Sequence, residues 1–228
     1  VLASLTRTVV GAKAKTLKSS KTVIVANVGS TANRTYGCDA SDGEISLGRA
    51  DCFRLRAVYE SLASGTNAAA PTLTTGSITG TFQRGEIITG GTSGAKGFLI
   101  KTTSPLQYVL ITATDFSSTE ALTGATSGAT ATATAKTDGD TVVTSDFTLD
   151  TGQRDNYYDI SRIVRKPGVP APTGKLLVVF DYFEHGTGDL FTVDSYPASG
   201  VEFSYKDIPV YSATRTDPDV REPTGQYF

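Results

Sequence analysis

The chain has 228 residues, of which 39% are hydrophobic, and 21 Lys and Arg residues nearly balance 23 Asp and Glu residues, for a formal net charge of -2. This content suffices for buried cores in one large domain or two to three small ones. The near-neutral charge gives no long-range attraction to nucleic acid or an anionic membrane, and every apolar run is of strand length, so neither partner is expected.

The N-terminal part begins with a cluster of four lysines, Lys13, Lys15, Lys18 and Lys21, which is typical of a solvated terminal arm. A strand is predicted over residues 22–28. The sequence contains no methionine, so we expect either a processed start or an interior segment of a longer protein.

Cys38 and Cys52 are the two cysteines of the chain. Two cysteines in 228 residues are far below the density of a disulfide scaffold, and no CxxC spacing or histidine pair indicates zinc. We therefore expect two free thiols in a protein made in a reducing cytoplasm.

Residues 52–60 alternate between apolar and charged side chains more clearly than any other segment. Phe53, Leu55, Ala57 and Tyr59 fall on one face of the predicted strand, and Arg54, Arg56 and Glu60 fall on the other. A half-buried strand with a charged, solvent-facing side is expected. Residues 64–81 then form a predicted Thr/Gly/Ala/Pro linker with a domain boundary near Pro71.

A fourteen-residue pattern occurs twice, at residues 82–95 and again 34 positions later at residues 116–129. Eight of the fourteen positions are identical, which indicates an internal duplication. Each copy has a short apolar stretch, a Gly-containing turn and a return of small residues, as a β-hairpin would. Because one hairpin is too small to bury a core, the two copies are expected to cover each other's apolar faces.

The C-terminal part contains the predicted elements that are not strands. Residues 155–165 predict a short helix capped by Asp155, with Tyr157, Ile160 and Val164 at helical spacing. Residues 175–184 and 190–196 predict a hairpin whose turn carries His185. Residues 205–211 are expected to be extended, since Pro209 restricts them to an edge or a connection.

Few residues suggest chemistry. His185 follows Glu184, yet a turn histidine is usually solvated, and no triad is indicated. Asp150, Asp155 and Asp159 do not match a calcium loop, so capping and turn roles are expected. No catalytic, cofactor-binding or metal-binding residue is therefore predicted.

Glu86 and Glu120 occupy equivalent positions of the repeat. A pair of carboxylates could serve a glycosidase, and Asp181 with Glu184 offers a second such pair. Duplicated positions are more simply explained by one local turn contact that is made twice. The sequence predicts a mainly β fold of several small domains, with boundaries at residues 1–70, 71–138 and 139–228 and with one short helix.

Four segments resemble virion structural proteins of tailed bacteriophages, particularly the large tail and baseplate-associated proteins of marine myoviruses. They are the duplicated motif, residues 147–159 (FTLDTGQRDNYYD), residues 177–183 (LVVFDYF) and residues 205–209 (YKDIP). The likeness covers residues 35 to 211. It implies a mechanical part with no catalytic residues and no cofactor, built of β domains that pack against other virion proteins.

The resulting hypothesis is a non-enzymatic component of a phage tail or baseplate, made in the bacterial cytoplasm and located in the virion. Its expected partners are other tail or baseplate proteins and further copies of the chain, for example in a trimer. The expected assembly surface consists of aromatic residues: Tyr157, Tyr158, Tyr182, Phe183 and Tyr205. The alternative is a receptor- or glycan-binding module of a tail fibre, using Tyr182, Phe183, Tyr196 and Tyr205.

Overall fold

A computed structural model describes residues 11–27, 29, 34–63, 65–154, 157–197, 203, 204, 207 and 208. The fold is mainly β, and the described residues contain no α-helix. Thirteen strands follow one another within the described residues: β1 Lys15–Val25, β2 Glu44–Ala50, β3 Cys52–Glu60, β4 Thr72–Thr79, β5 Ile87–Gly90, β6 Lys96–Lys101, β7 Leu106–Leu110, β8 Ala121–Gly124, β9 Thr130–Thr137, β10 Thr141–Val142, β11 Phe147–Asp150, β12 Ile160–Arg165 and β13 Leu176–His185. Short 3₁₀ turns lie at Thr35–Gly37, Thr144–Asp146 and Val193–Ser195.

Two antiparallel sheets enclose one core. The first sheet has the order β1-β13-β3-β10 and the second has the order β11-β12-β2. The side chains between them are almost all aliphatic or aromatic, which is what a sheet-on-sheet core requires. Its members include Ile45, Leu47, Val58, Phe147, Ile163, Leu176, Val178, Phe180 and Tyr182.

The remaining six strands close into a barrel with the order β4-β7-β6-β5-β8-β9. Its interior is filled by buried residues from both copies of the repeat and from the strands beside them: Leu73, Phe82, Ile88, Leu99, Leu106, Tyr108, Phe116 and Leu122. Closure leaves no free strand edge in this part of the chain.

The barrel has an internal twofold relation. Strands β5 and β8 pair so that Thr89 lies opposite Thr123, its own equivalent in the other copy. The unit β4-β5-β6 is thus repeated as β7-β8-β9, and the last strand of each unit pairs with the first strand of the other. Four of the six strand pairings therefore join one unit to the other, namely β4 with β7, β4 with β9, β5 with β8 and β6 with β7, which agrees with the expectation that one copy cannot bury a core alone.

Strand β13 connects the core between the two sheets with the barrel. One of its faces packs into the core between the sheets, and the other packs Leu177 and Val179 against Ile100 and Val109 of the barrel. Further along β13, Asp181 is buried against Arg56 and Phe183 against Phe53, so all eight residues of the run LLVVFDYF are buried.

A polar contact accompanies this junction. The guanidinium of Arg56 on β3 stacks 3.5 Å from the ring centroid of Phe98 on β6, and Arg84 Nε donates to the carbonyl of Ser20 over 2.9 Å. The expected charged, solvent-facing side of residues 52–60 is wrong for Arg56, whose side chain is 1% exposed. The strand itself has the expected bounds, and covering by the barrel is what the alternation could not reveal.

The predicted helix at residues 155–165 is wrong. Residues 160–165 form strand β12, in which Ser161 and Ile163 face inward, and residues 155 and 156 lie outside the described residues. The β-branched residues of ISRIVR find partners on both sides, in β11 and in β2. Tertiary pairing of a β-prone segment therefore overrode a short match to helical spacing.

The predicted hairpin of residues 175–184 and 190–196 is also wrong. Strand β13 pairs with β1 and β3 instead, while Leu190 makes an isolated parallel bridge to Ala12. The predicted linker at residues 64–81 contains β4, which completes the barrel. Strand β4 is rich in Thr and buries only Leu73 and Thr75, so no alternating apolar pattern marked it as a strand in the sequence.

The predicted boundaries at residues 71 and 138 enclose the six barrel strands. The segments predicted as first and third domains share one sheet, since β1 and β3 both pair with β13. Within the described ranges, no helix has the length and apolar character needed to span a bilayer.

Candidate functional site

The two copies of the repeat exchange their glutamates. Glu86 and Glu120 are buried, at 0% and 3% exposure, and each places its carboxylate in the Thr-Ser-Gly turn of the other copy. The same contact is thus made twice, as expected, although each glutamate reaches across to the other unit's turn.

The donors to each carboxylate are equivalent. Glu120 accepts from the amides of Thr92 and Ser93 at 3.0 and 2.9 Å and from the Ser93 hydroxyl at 2.8 Å. Glu86 accepts from the amides of Thr126 and Ser127 at 3.1 and 2.9 Å and from the Ser127 hydroxyl at 2.9 Å. One further amide from its own copy, of Ser117 or Gln83, completes each set. Buried carboxylates need such donors, because an unpaired charge in a core is costly.

The glycines that both motifs share follow from this contact. A Cβ on Gly90 would lie 2.5 Å from the Glu120 carboxylate, and one on Gly124 would lie 2.7 Å from that of Glu86. Gly94 and Gly128 have φ of 67° and 66°, a region that favours glycine. Glycine at position 90 or 124 therefore leaves room for the carboxylate of the other copy. Glycine at position 94 or 128 allows the left-handed backbone conformation of the turn.

The electrostatics of this contact favour the charged form of Glu120. Burial alone would raise the pKa of Glu120, but the hydrogen bonds from Ser93, Ser117 and Thr92 outweigh it and hold the pKa below its usual range. All donors to this carboxylate are neutral, and they stabilise it in place. This arrangement gives both repeat glutamates a structural part in the barrel.

A second buried polar cluster lies at the end of the four-stranded sheet. Lys15 Nζ and Asp51 Oδ2 are 2.7 Å apart, with side chains 0% and 1% exposed, and His185 Nε2 lies 2.7 Å from the same oxygen. Three distant segments contribute: the start of β1, the residue between β2 and β3, and the end of β13. Asp51 adopts a φ of 57°, unusual for a non-glycine residue, which turns its carboxylate inward.

Four aromatic rings surround the Lys15 amine. Its Nζ lies 4.4 to 5.6 Å from the ring centroids of Tyr196, Tyr158, Phe191 and Phe183. The amine also donates to the hydroxyls of Tyr158 and Tyr196 over 2.8 and 3.0 Å. The cation is therefore satisfied by one carboxylate, two hydroxyls and four aromatic faces.

The pKa of Lys15 reflects opposing influences. Burial lowers the pKa of the amine, while the Asp51 carboxylate and the two tyrosine hydroxyls raise it by more, so that the net change is upward. The expectation of a solvated lysine arm is wrong for Lys15, since it lies in strand β1 beneath these rings. His185, expected to be a solvated turn residue, instead belongs to this cluster at the end of β13.

The predicted assembly residues differ in their exposure to solvent. Tyr157 is 60% exposed, whereas Tyr158 is half-buried in the cluster, and Phe183 and Tyr182 are buried. Phe183 packs against Phe53 and Phe203 inside the chain, so its ring is not part of a free surface. Tyr205 lies outside the described residues. The assembly role of the group stays a prediction.

Exposed apolar side chains lie in the two segments that supply rings to this cluster. Tyr157 precedes Tyr158, while Leu190, Phe191 and Val193 precede Tyr196, and the Phe191 ring lies 5.4 Å from that of Tyr158. We refer to Tyr157, Leu190, Phe191 and Val193 as the apolar end patch. Sequence reasoning missed three of its four members because residues 190–196 were taken for a strand.

The other acidic candidates make ion pairs. Asp150 and Asp159 both contact Arg154 and Arg162, while Asp155 lies outside the described residues. Asp181 is buried against Arg56 at 2.7 Å, and the exposed Glu184 pairs with Lys18.

In the described ranges, no group of three or more His, Cys, Asp or Glu side chains is arranged to hold a metal ion. Cys38 and Cys52 are free thiols, as predicted, and burial raises the pKa of Cys52 to about 12.

Comparisons with protein-family models, with curated proteins and with solved structures give no match for this chain.

Proposed function

We propose that the chain is a non-enzymatic structural component of a phage tail or baseplate, where it assembles with other virion proteins or with further copies of itself. The apolar end patch carries this proposal. Its four side chains are between 36% and 60% exposed, and they lie on a framework whose polar groups are already paired inside the chain. A partner that covered them would gain hydrophobic stabilisation at little cost in ordering.

The acidic residues support a mechanical part. The glutamates that could have formed a glycosidase pair each hold the other copy's turn, and Asp181 is engaged by Arg56. These carboxylates tie strands together, which suits a protein that has to keep its shape in an assembly. The motif resemblance to phage tail and baseplate proteins supplies the biological setting of the proposal.

The location of the chain is tested in particles. Purified virions of the phage that encodes the chain should yield its peptides by mass spectrometry, and electron cryomicroscopy should locate the fold in the tail or baseplate. Particles that are complete and infectious without the chain would contradict the proposal.

The surface is tested separately with charge substitutions. Tyr157→Asp and Val193→Asp should lower the number of complete tails, because each places a charge within the expected contact. Leu62→Asp is the matched control, since Leu62 is 80% exposed and lies between β3 and β4, outside the patch. Thermal unfolding of the purified variants confirms that a loss of assembly is not a loss of folding. Normal tail numbers for both patch variants would exclude this surface.

A further inference from the structure

We propose that Lys15 and Asp51 condense into an intramolecular isopeptide bond, which would link the start of β1 covalently to the residue between β2 and β3. The inference concerns a covalent modification and does not depend on the proposed function. It rests on the geometry, the surroundings and the neighbours of the buried pair.

The two reacting groups are already in place. Lys15 Nζ lies 2.7 Å from Asp51 Oδ2 and thus next to the carboxyl carbon that it would attack, and both side chains are at most 1% exposed. The hydroxyls of Tyr158 and Tyr196 fix the amine from the other side. Groups held in this way react as parts of one molecule, with effective concentrations far above those reachable in solution.

The surroundings exclude water. The rings of Tyr158, Phe183, Phe191 and Tyr196 enclose the amine and exclude water from it. In such a medium an ammonium–carboxylate pair loses much of its hydration, which lowers the cost of passing a proton from the amine to the acid. Since the pKa of Lys15 is raised against bulk water, this proton has to pass within the pair and not to solvent.

The reaction balances without any further reagent. The proton moves from Lys15 Nζ to the Asp51 carboxylate, which gives a neutral amine and a carboxylic acid. The nitrogen lone pair then attacks Asp51 Cγ, a C–N bond forms, and a second proton moves from the nitrogen to the departing oxygen. The C–O bond breaks and one water leaves, so that one positive and one negative charge are lost together.

His185 is placed to carry the proton between nitrogen and oxygen. Its Nε2 lies 2.7 Å from the same Asp51 oxygen that Lys15 contacts, within reach for general acid–base transfer. The imidazole is held by edge contacts with Tyr158 and Phe191, with centroids 5.1 and 4.7 Å away. A histidine in this position can donate to the leaving oxygen and recover the proton from nitrogen.

Other ion pairs of the chain serve as internal controls. Arg56 and Asp181 are equally buried and equally close, but a guanidinium stays protonated and is not a nucleophile. Lys18–Glu184 and Lys136–Asp115 contain an amine, yet both are open to water. We expect a cross-link at Lys15 alone.

Intact-mass measurement of the purified, denatured protein tests the proposal directly. The chain should be lighter than its sequence mass by one water, and trypsin should release residues 14–18 joined to residues 50–54 as a branched peptide. A protein of full sequence mass would overturn the proposal, as would a water loss that maps to any other pair of residues.

Two variants complete the test. Lys15→Arg should have its full sequence mass, because the nucleophile is gone while the charge remains, and a water loss in this variant would also overturn the proposal. In a cell-free translation sampled over time, His185→Gln should form the cross-link about a hundredfold more slowly or worse. Formation at the wild-type rate in folded His185→Gln would remove the proton-transfer role assigned to His185.

Discussion

The barrel and the end of the four-stranded sheet both bury carboxylates, but they satisfy them differently. In the barrel, Glu86 and Glu120 accept hydrogen bonds from neutral amides and hydroxyls of a short turn. At the sheet end, Asp51 is matched by Lys15 and His185, which come from opposite ends of the chain. Neutral donors can be encoded within one short motif and duplicated, whereas a charge pair depends on the register of several strands.

The two solutions also differ in what happens when one partner is lost. A turn that loses its glutamate leaves several amides unpaired, each at a moderate cost. A buried carboxylate that loses its cation becomes an uncompensated charge, which is the more expensive outcome.

The largest effect is expected for Lys15→Met. This change removes the amine partner of the buried Asp51, whether the two are ion-paired or joined by the proposed isopeptide bond, and should lower the free energy of unfolding by at least about 3 to 5 kcal/mol in denaturant titrations. Lys18→Met is the matched control from the same strand, because its exposed pair with Glu184 should contribute no more than about 1 kcal/mol. Similar losses for both lysines would mean that the buried pair contributes no more to the free energy of unfolding than the exposed one.

A somewhat smaller effect is expected for Glu86→Ala and Glu120→Ala. Each leaves the amides of one turn without an acceptor, and we expect a loss of about 3 kcal/mol in the free energy of unfolding. The two losses should agree closely, since the donors are equivalent in the two copies. Glu184→Ala provides the exposed control. Clearly unequal losses would show that the twofold relation does not extend to the energetics.

A loss of about 2 kcal/mol is expected for Gly90→Ala and for Gly124→Ala. The new methyl group would overlap with the carboxylate from the other copy, at 2.5 and 2.7 Å. Gly76→Ala on β4 is the control, since no atom lies within 4 Å of the position that its methyl group would take and its φ is not in the left-handed region. Thermal unfolding of the three variants measures the difference. Equal stability of Gly90→Ala and Gly76→Ala would contradict the close approach of Glu120.

The smallest expected effect is the dependence on acid. Because the folded-state pKa of Glu120 lies below its usual value, its stabilisation is complete above the unfolded pKa and is lost as the pH falls through the folded pKa. Between about pH 6 and about pH 3, the wild type should therefore lose more unfolding free energy than Glu120→Gln. Asp115 and Asp150 also have lowered pKa values, so part of the loss should persist in the variant. Identical acid profiles would indicate that Glu120 does not contribute.

The sequence by itself determined the mainly β character, the duplication and strand β3 with its bounds at Cys52 and Glu60. It did so because alternation and repeated turn residues are local signals, set by the strand period and by glycine geometry. The shared glutamate position was also visible, and its structural part could be anticipated because two separate hairpins carried it.

Only the tertiary structure decided which strands pair and which charged residues are buried. The pairing of ISRIVR with β11 and β2 made a strand of a segment with helical spacing, and the contact of the barrel with β3 buried Arg56. The cluster of Lys15, Asp51 and His185 has no sequence signature at all. Its members are brought together by the pairing of β1 with β13 and by the turn after β2, and long-range register leaves no local pattern to read.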